Sequence, residues 1–203
     1  MAKLFGNLNL VVGIGIVVAI IIMMAFAPSA SVDVNSVFRW LHVFFGILWI
    51  GLLYYFNFVQ VPALAEAVAD EGGPGGAGIT KYVAPRALWW FSWGALATWL
   101  TGAAALGHYR IFADAFTLGM LGDSLNLQAM YIGVGAWLGT IMLFNVWVLI
   151  WPNQKKVLGI VQASADEIAK AKRVALLASR TNTMLSIPML MSMVGFGHGG
   201  FFL

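Results

Sequence analysis

Three histidines, His42, His108 and His198, are the residues of this chain best suited to bind a metal or move a proton. Each lies in a strongly apolar stretch, and ionisable side chains in such stretches are rare and mark functional sites. Two neutral imidazoles can ligate a haem iron axially, and three can hold zinc or copper. There is no cysteine, which excludes disulfides, thiolate metal sites and covalent haem attachment. A non-covalently held haem b is the cofactor these residues suit, and a bare zinc or copper ion is the weaker alternative. His42 is followed one turn later by Gly46 and then by Trp49 on the same face. His108 is preceded by Ala104, Ala105 and Thr101, and His198 is set among Gly195, Gly197, Gly199 and Gly200. Small neighbours leave room for a flat ligand, which a bare ion would not need. Arg39 and Arg110 flank His42 and His108 and are spaced to pair with haem propionates. Each feature also has a plainer reading: a histidine bonded to a neighbouring helix, arginines reaching to the headgroups, and small residues for helix packing.

The elements that must carry these side chains follow from composition. Hydrophobic residues make up 61% of the 203 and charged residues only 9%, against about 25% charged in soluble domains. A soluble fold of this size has no means of covering so much apolar surface, whereas a bilayer does. The expected fold is all-α, a single polytopic membrane helix bundle over residues 1–203. Roughly 20 apolar residues cross a bilayer, and five stretches qualify: 8–26, 37–59, 87–109, 125–151 and 183–203. The first is read as a true span, since its apolar core exceeds the roughly 7–15 residues of a signal peptide. Ile111 to Leu121 is too short to span and contains Asp114, so it reads as an interfacial helix or loop.

Of the 11 Lys and Arg, nine fall in Lys3 and the loops after spans two and four, and only Arg39 and Arg110 fall on the other side. The positive-inside rule then predicts a cytoplasmic N-terminus and an outer C-terminus, in a bacterial inner membrane. All three histidines come to the outer half. His42 and His198 match best in depth and form the preferred ligand pair, which leaves His108 as a second-site ligand or proton-transfer group.

Other motifs read structurally. Asn57, Gln60 and Asn145 are expected to link helices, and Gly135 with Gly139 to form a close-packing surface. Trp40, Trp89, Trp90, Trp93 and Trp151 read as an interfacial belt. GGPGGAG at Gly72 to Gly78 lacks the ending of a phosphate loop and is a linker. Ala163 to Leu177 reads as a helix on the cytoplasmic surface, extending span five. Ser179 to Thr183 opens that span, with Asn182 or Thr183 as cap and Pro188 as a kink. No catalytic triad, paired carboxylates or nucleotide loop is visible, and the scattered basic residues argue against nucleic acid.

Four blocks together resemble the membrane domain of the cytochrome c-linked urate oxidases (PuuD type). They are R-W-L-H-V-F-F-G-I-L-W-I-G-L-L-Y-Y-F-N-F-V-Q-V-P from Arg39, R-A-L-W-W-F-S-W-G-A from Arg86, F-N-V-W-V-L-I-W-P-N-Q-K-K from Phe144, and S-R-T-N-T-M-L-S-I-P-M-L from Ser179. The resemblance implies a redox membrane domain and carries His42, in W-L-H-V, as a cofactor residue; His198 follows less directly. The best-described members of the family end in a cytochrome c domain. With no cysteine in these 203 residues, that domain is expected to be lacking, and electrons would leave through a separate cytochrome c or a larger respiratory complex. Leu41, His42, Trp49, Gly51, Leu52 and Tyr54 are also similar, over one helix, to the haem-binding membrane protoporphyrinogen oxidases. The expected function is thus a haem b-binding, urate oxidase-like protein with a redox or electron-transfer role at the outer face. The alternative is a non-catalytic accessory subunit of a larger respiratory or photosynthetic membrane complex.

Overall fold

The computed structural model describes residues 5–26 and 33–198. Lys3, the Ala27 to Ala30 segment, and Gly199 and Gly200 with the rest of the expected end of span five lie outside the described residues. Helices run over α1 (Leu8–Phe26), α2 (Val34–Tyr54), α3 (Val61–Ala69), α4 (Ala84–His108), α5 (Phe112–Phe116), α6 (Leu127–Phe144), α7 (Trp151–Val157) and α8 (Ala165–Gly197). Three wider π-helical turns join or precede them: π1 (Tyr55–Gln60), π2 (Ile79–Val83) and π3 (Asn145–Ile150). No strand occurs among the described residues. The chain divides into two compact units, Met1–Val37 and Phe38–Leu203. In the first, α1 is apolar on every side and buries no residue. The Asp33 carboxylate accepts the backbone N–H groups of Asn35 and Ser36, starting α2.

The second unit distributes its residues in the reverse of a soluble fold. The buried residues of α8 are Ala171, Ala175, Ala178, Asn182, Ser186, Met189, Ser192 and Gly195, a stripe at three- and four-residue spacing. Its outward face carries Met184, Ile187, Leu190, Met191 and Val194. Asn182 and Ser186 are fully buried while Ile187 is 67% exposed. The buried positions of α6 include Gly133, Gly135 and Gly139, and Val134, Trp137, Ile141 and Phe144 face out. Small and polar residues inside, with large apolar residues outside, is the pattern a lipid solvent selects. By length and composition, Leu8–Phe26, Val34–Ala69 and Leu127–Val157 can each cross a membrane. The expected third and fifth spans fall in α4 and α8, whose hydroxyls, amides and charges dilute their apolarity.

Each π turn is followed by a proline at the second position of the next helix: Pro62, Pro85 and Pro152. Proline lacks an N–H and its ring crowds the carbonyl four residues back. The chain answers by widening the turn. The residue before each proline bonds five residues back: Val61 to Phe56, Ala84 to Ile79, and Trp151 to Val146. The helices therefore continue through the prolines, with one residue per turn displaced from the α register.

Ala163 to Leu177 extends span five, as expected: α8 runs unbroken from Ala165 to Gly197. The expected cap of this helix needs correction. Asn182 and Thr183 do not cap it, because they lie in its interior. The cap is Ser164, whose hydroxyl accepts the Glu167 N–H while the Glu167 carboxylate accepts the Ser164 N–H. This reciprocal box starts the helix about five turns earlier than a cap at Asn182 or Thr183 would. Phe112–Phe116 is short, as expected, and seats Ala115 against Gly133.

The Ser164 backbone N–H, and then Lys156 at 3.4 Å, hold the Glu167 carboxyl below its ordinary value. A lowered carboxyl stabilises the fold above its unfolded value, and that contribution is lost as pH falls through the folded value. The acid limb of thermal unfolding in detergent, below the ordinary carboxyl value, should therefore be shallower in Glu167→Gln, which keeps the amide cap without the titration.

Candidate functional site around His42

The helix pair α2 and α4 runs antiparallel, and the glycines on it set the register. A side chain at Gly94 would meet Leu48 and the Trp49 backbone at 3.4–3.6 Å, Gly46 faces the Thr98 methyl at 3.7 Å, and a side chain at Gly102 would strike the His42 ring at 2.8 Å. His42 therefore lies in a notch that exists because residue 102 has no side chain. Through that notch the Nδ1 of His42 reaches the Thr98 carbonyl at 2.8 Å. A carbonyl only accepts, so Nδ1 carries the proton and donates. The neutral ring is thereby fixed in one tautomer and one orientation, with its lone pair on Nε2. Metal-ligating histidines are held in this way, by a second-shell acceptor on the other nitrogen.

The plainer reading of the small residues is the one realised here. Gly46 and Gly102 bring two helices together and do not leave a flat vacancy beside the ring. Trp49 is a core residue, 2% exposed, and its indole Nε1 has no hydrogen-bond partner.

The ends of the three histidine-bearing helices are tied together. Arg39, one turn before His42, donates to the Tyr109 hydroxyl at 3.3 Å. Tyr109 makes an edge contact with Phe196, centroids 6.4 Å apart. Tyr109 follows His108, and Phe196 precedes His198 by two residues. The topology thus gathers these helix ends as the sequence predicts. His108 and His198 are exposed and His42 is half-buried. His198 bonds the Val194 carbonyl of its own helix through Nδ1 at 3.0 Å, so it too keeps Nε2 free. Among the described residues no group of three or more His, Asp or Glu is assembled that could hold a metal ion, and the three-histidine zinc or copper arrangement is not formed. Arg110 turns the chain at the end of α4 in a left-handed conformation, φ 59°; Arg39 is engaged with Tyr109 rather than pointing only to the headgroups.

Below this region Asn57 and Asn145 link helices as the sequence predicts. Asn57 donates to the Ser179 hydroxyl at 2.8 Å, and Asn145 donates to the side-chain Oδ1 of Asn182 at 2.8 Å. Asn182 itself donates to the Met142 carbonyl at 3.0 Å, and Tyr54 pairs with Ser186 at 2.9 Å. Gln60 is buried with its Oε1 unpartnered. Ser192 bonds the Tyr131 carbonyl and accepts the Gly135 N–H. Gly135 is the close-packing glycine of the G-x-x-x-G pair; a side chain at Gly139 would meet nothing within 4 Å. Thr98, Gly102 and Ser192 escape a reading by motif. Only the antiparallel register that places 102 opposite 42 would have signalled the first two.

These observations define the class: an all-helical membrane protein whose helices are linked by buried amides and hydroxyls, with one oriented imidazole in an interhelical notch. Residues 112–202 match the family model described as "Urate oxidase N-terminal", so this segment is similar to that family. The matched segment contains the Phe144 and Ser179 blocks and His198; His42 and the Arg39 and Arg86 blocks lie before it. No curated protein and no solved structure gives a significant match to the chain.

Gly102→Ala should displace the His42 ring and break its bond to Thr98, at a cost of about 1 kcal/mol. In detergent unfolding it should be non-additive with His42→Ala, because both remove the same interaction. Asn182→Ala, which leaves Asn145 and the Met142 carbonyl without their partner, should cost about 1–3 kcal/mol.

Proposed function

We propose that the protein is a haem b-binding redox domain of the urate oxidase membrane type, with its cofactor at the outer end of the helices. The observation that carries this reading is the His42 notch. The Thr98 carbonyl holds the Nδ1 proton, Gly102 admits the ring, and Nε2 is left as a fixed, neutral donor. These features fit a residue that would hold a haem iron. His198 is the proposed second ligand, since its bond to Val194 leaves the same nitrogen free. Haem b, when bound, would supply one-electron transfer between its ferrous and ferric states. The chain's own part is to orient the imidazole, and to bring Arg39 and Arg110 to the end of the helices where propionates would emerge.

The charge distribution supports a bacterial inner membrane with a cytoplasmic N-terminus. The proposed reaction is oxidation of a small reduced substrate, urate by analogy with the family, or relay of its electrons at the outer face. A separate cytochrome c or a larger respiratory complex would be the acceptor. A role as accessory subunit draws on one observation, that α1 buries none of its residues and so has a whole helical surface available to other helices.

Protein produced with ample haem should show a b-type α-band in a reduced-minus-oxidised spectrum. His42→Ala should abolish that band, His198→Ala should alter it, and His108→Ala should leave it in place. A featureless spectrum together with co-purification in a larger assembly would replace the redox reading with the accessory one.

A further inference from the structure

A groove of about 560 Å³ opens between α2/π1 and π2/α4, away from the histidines. Its walls are Leu52 and Tyr55 on one side and Val83, Ala87 and Trp90 on the other, with Tyr82 and Arg86 at one end. Its size lies within the roughly 300–1,000 Å³ of small-molecule sites, and its lining is almost wholly apolar. The end marked by Tyr82 and Arg86 is the start of α4, where the basic residues place the membrane boundary.

Two cations stand at that mouth. The Arg86 guanidinium donates one of its N–H groups to the Tyr82 carbonyl, which leaves four of its five donors. The Lys81 ammonium sits over the Tyr82 ring, 5.4 Å from its centroid. Among the described residues the ion pair formed is Lys156 with Glu167, so no carboxylate neutralises Arg86 or Lys81. Pro85 contributes to this arrangement. It follows the widened π2 turn at the start of α4, and the Arg86 guanidinium takes up the Tyr82 carbonyl of that turn.

An apolar slot running into the bilayer, closed at the headgroup level by an aromatic ring and two unneutralised cations, has the chemistry of one ligand class. We propose that this groove is a binding site for an anionic phospholipid, with an acyl chain between Leu52, Tyr55, Ala87 and Trp90 and the phosphate on Arg86 and Lys81. Basic pockets between membrane helices recognise phospholipid headgroups in this way, and a planar guanidinium with free donors suits a phosphate. The site is independent of haem and depends only on the membrane placement of α2 and α4.

The test uses the full chain in zwitterionic detergent, titrated with phosphatidylglycerol or phosphatidylcholine carrying brominated acyl chains, which quench nearby tryptophan. Trp90 reports from within the groove, and Trp90→Phe identifies its share of the signal. Saturable quenching that favours phosphatidylglycerol is expected. Arg86→Gln, an exposed position, should reduce that preference about fivefold, the worth of one basic residue near an anionic surface. Ala87→Phe should fill the slot and remove saturable quenching by both lipids. Inorganic phosphate should not displace the bound lipid. Equal quenching by the two lipids, an unchanged preference in Arg86→Gln, or displacement by inorganic phosphate would each overturn the proposal.

Discussion

A polar group inside a helix that crosses lipid has no water to turn to, so it must find its partner in the protein. That constraint organises the larger unit of this chain. The buried stripe of α8 is made of alanines, serines, a glycine, one methionine and one asparagine, and its polar members, with the half-buried Ser179 beside them, face two other helices, α2/π1 and α6/π3. Ser179 meets Asn57 and Ser186 meets Tyr54 on the α2/π1 helix, Asn182 meets Asn145 and the Met142 carbonyl, and Ser192 meets Tyr131 and Gly135. Apolar contact cannot specify such a bundle, since a helix gains little by exchanging lipid for leucine. The pairings can, because a one-residue slip would leave amides unpaired in hydrocarbon.

The π turns serve the same economy of polar groups. Asn57 and Gln60 lie in π1 and Asn145 opens π3. Both turns are forced by a proline shortly after them, and both present amides to the bundle interior. A widened turn shifts the following residues relative to an ideal α-helix, so the direction in which each amide faces depends on the proline beyond it. Asn57 also donates to the Leu53 carbonyl of its own helix. The same side chain thus repairs local backbone and joins a neighbouring helix.

Much of this was legible in the sequence because it depends on residue type at a given depth. The membrane class follows from the scarcity of charge, and the linking roles of Asn57 and Asn145 from amides placed within apolar stretches. What was not legible depends on who faces whom. S-R-T-N-T looks like a helix start because Asn and Thr favour caps. Ser164 and Glu167 had already started that helix, and Asn182 was needed where Asn145 and Met142 come close. Gly135 and Gly139 match a packing motif, yet Gly133 and Gly135 are the glycines that neighbours press upon. The small residues beside His42 read equally well as space for a cofactor and as a helix seam. Only the register of α2 against α4 decides between them.

That decision narrows the chemistry without removing it. A histidine bonded to a neighbouring helix and a histidine ready to ligate iron are commonly weighed as rivals, but at His42 they use different atoms. The structural bond engages Nδ1, and ligation would engage Nε2. Because the acceptor is a main-chain carbonyl, it cannot reverse the bond or release the proton to the other nitrogen, and the neutral ring is committed to one tautomer. An intramembrane imidazole free to rotate would lose entropy on binding a cofactor; this one has lost it on folding, in the notch at Gly102. The helix seam that fills the room beside the ring is therefore also what orients its remaining lone pair, and a group bound to this imidazole would be held on its Nε2 side.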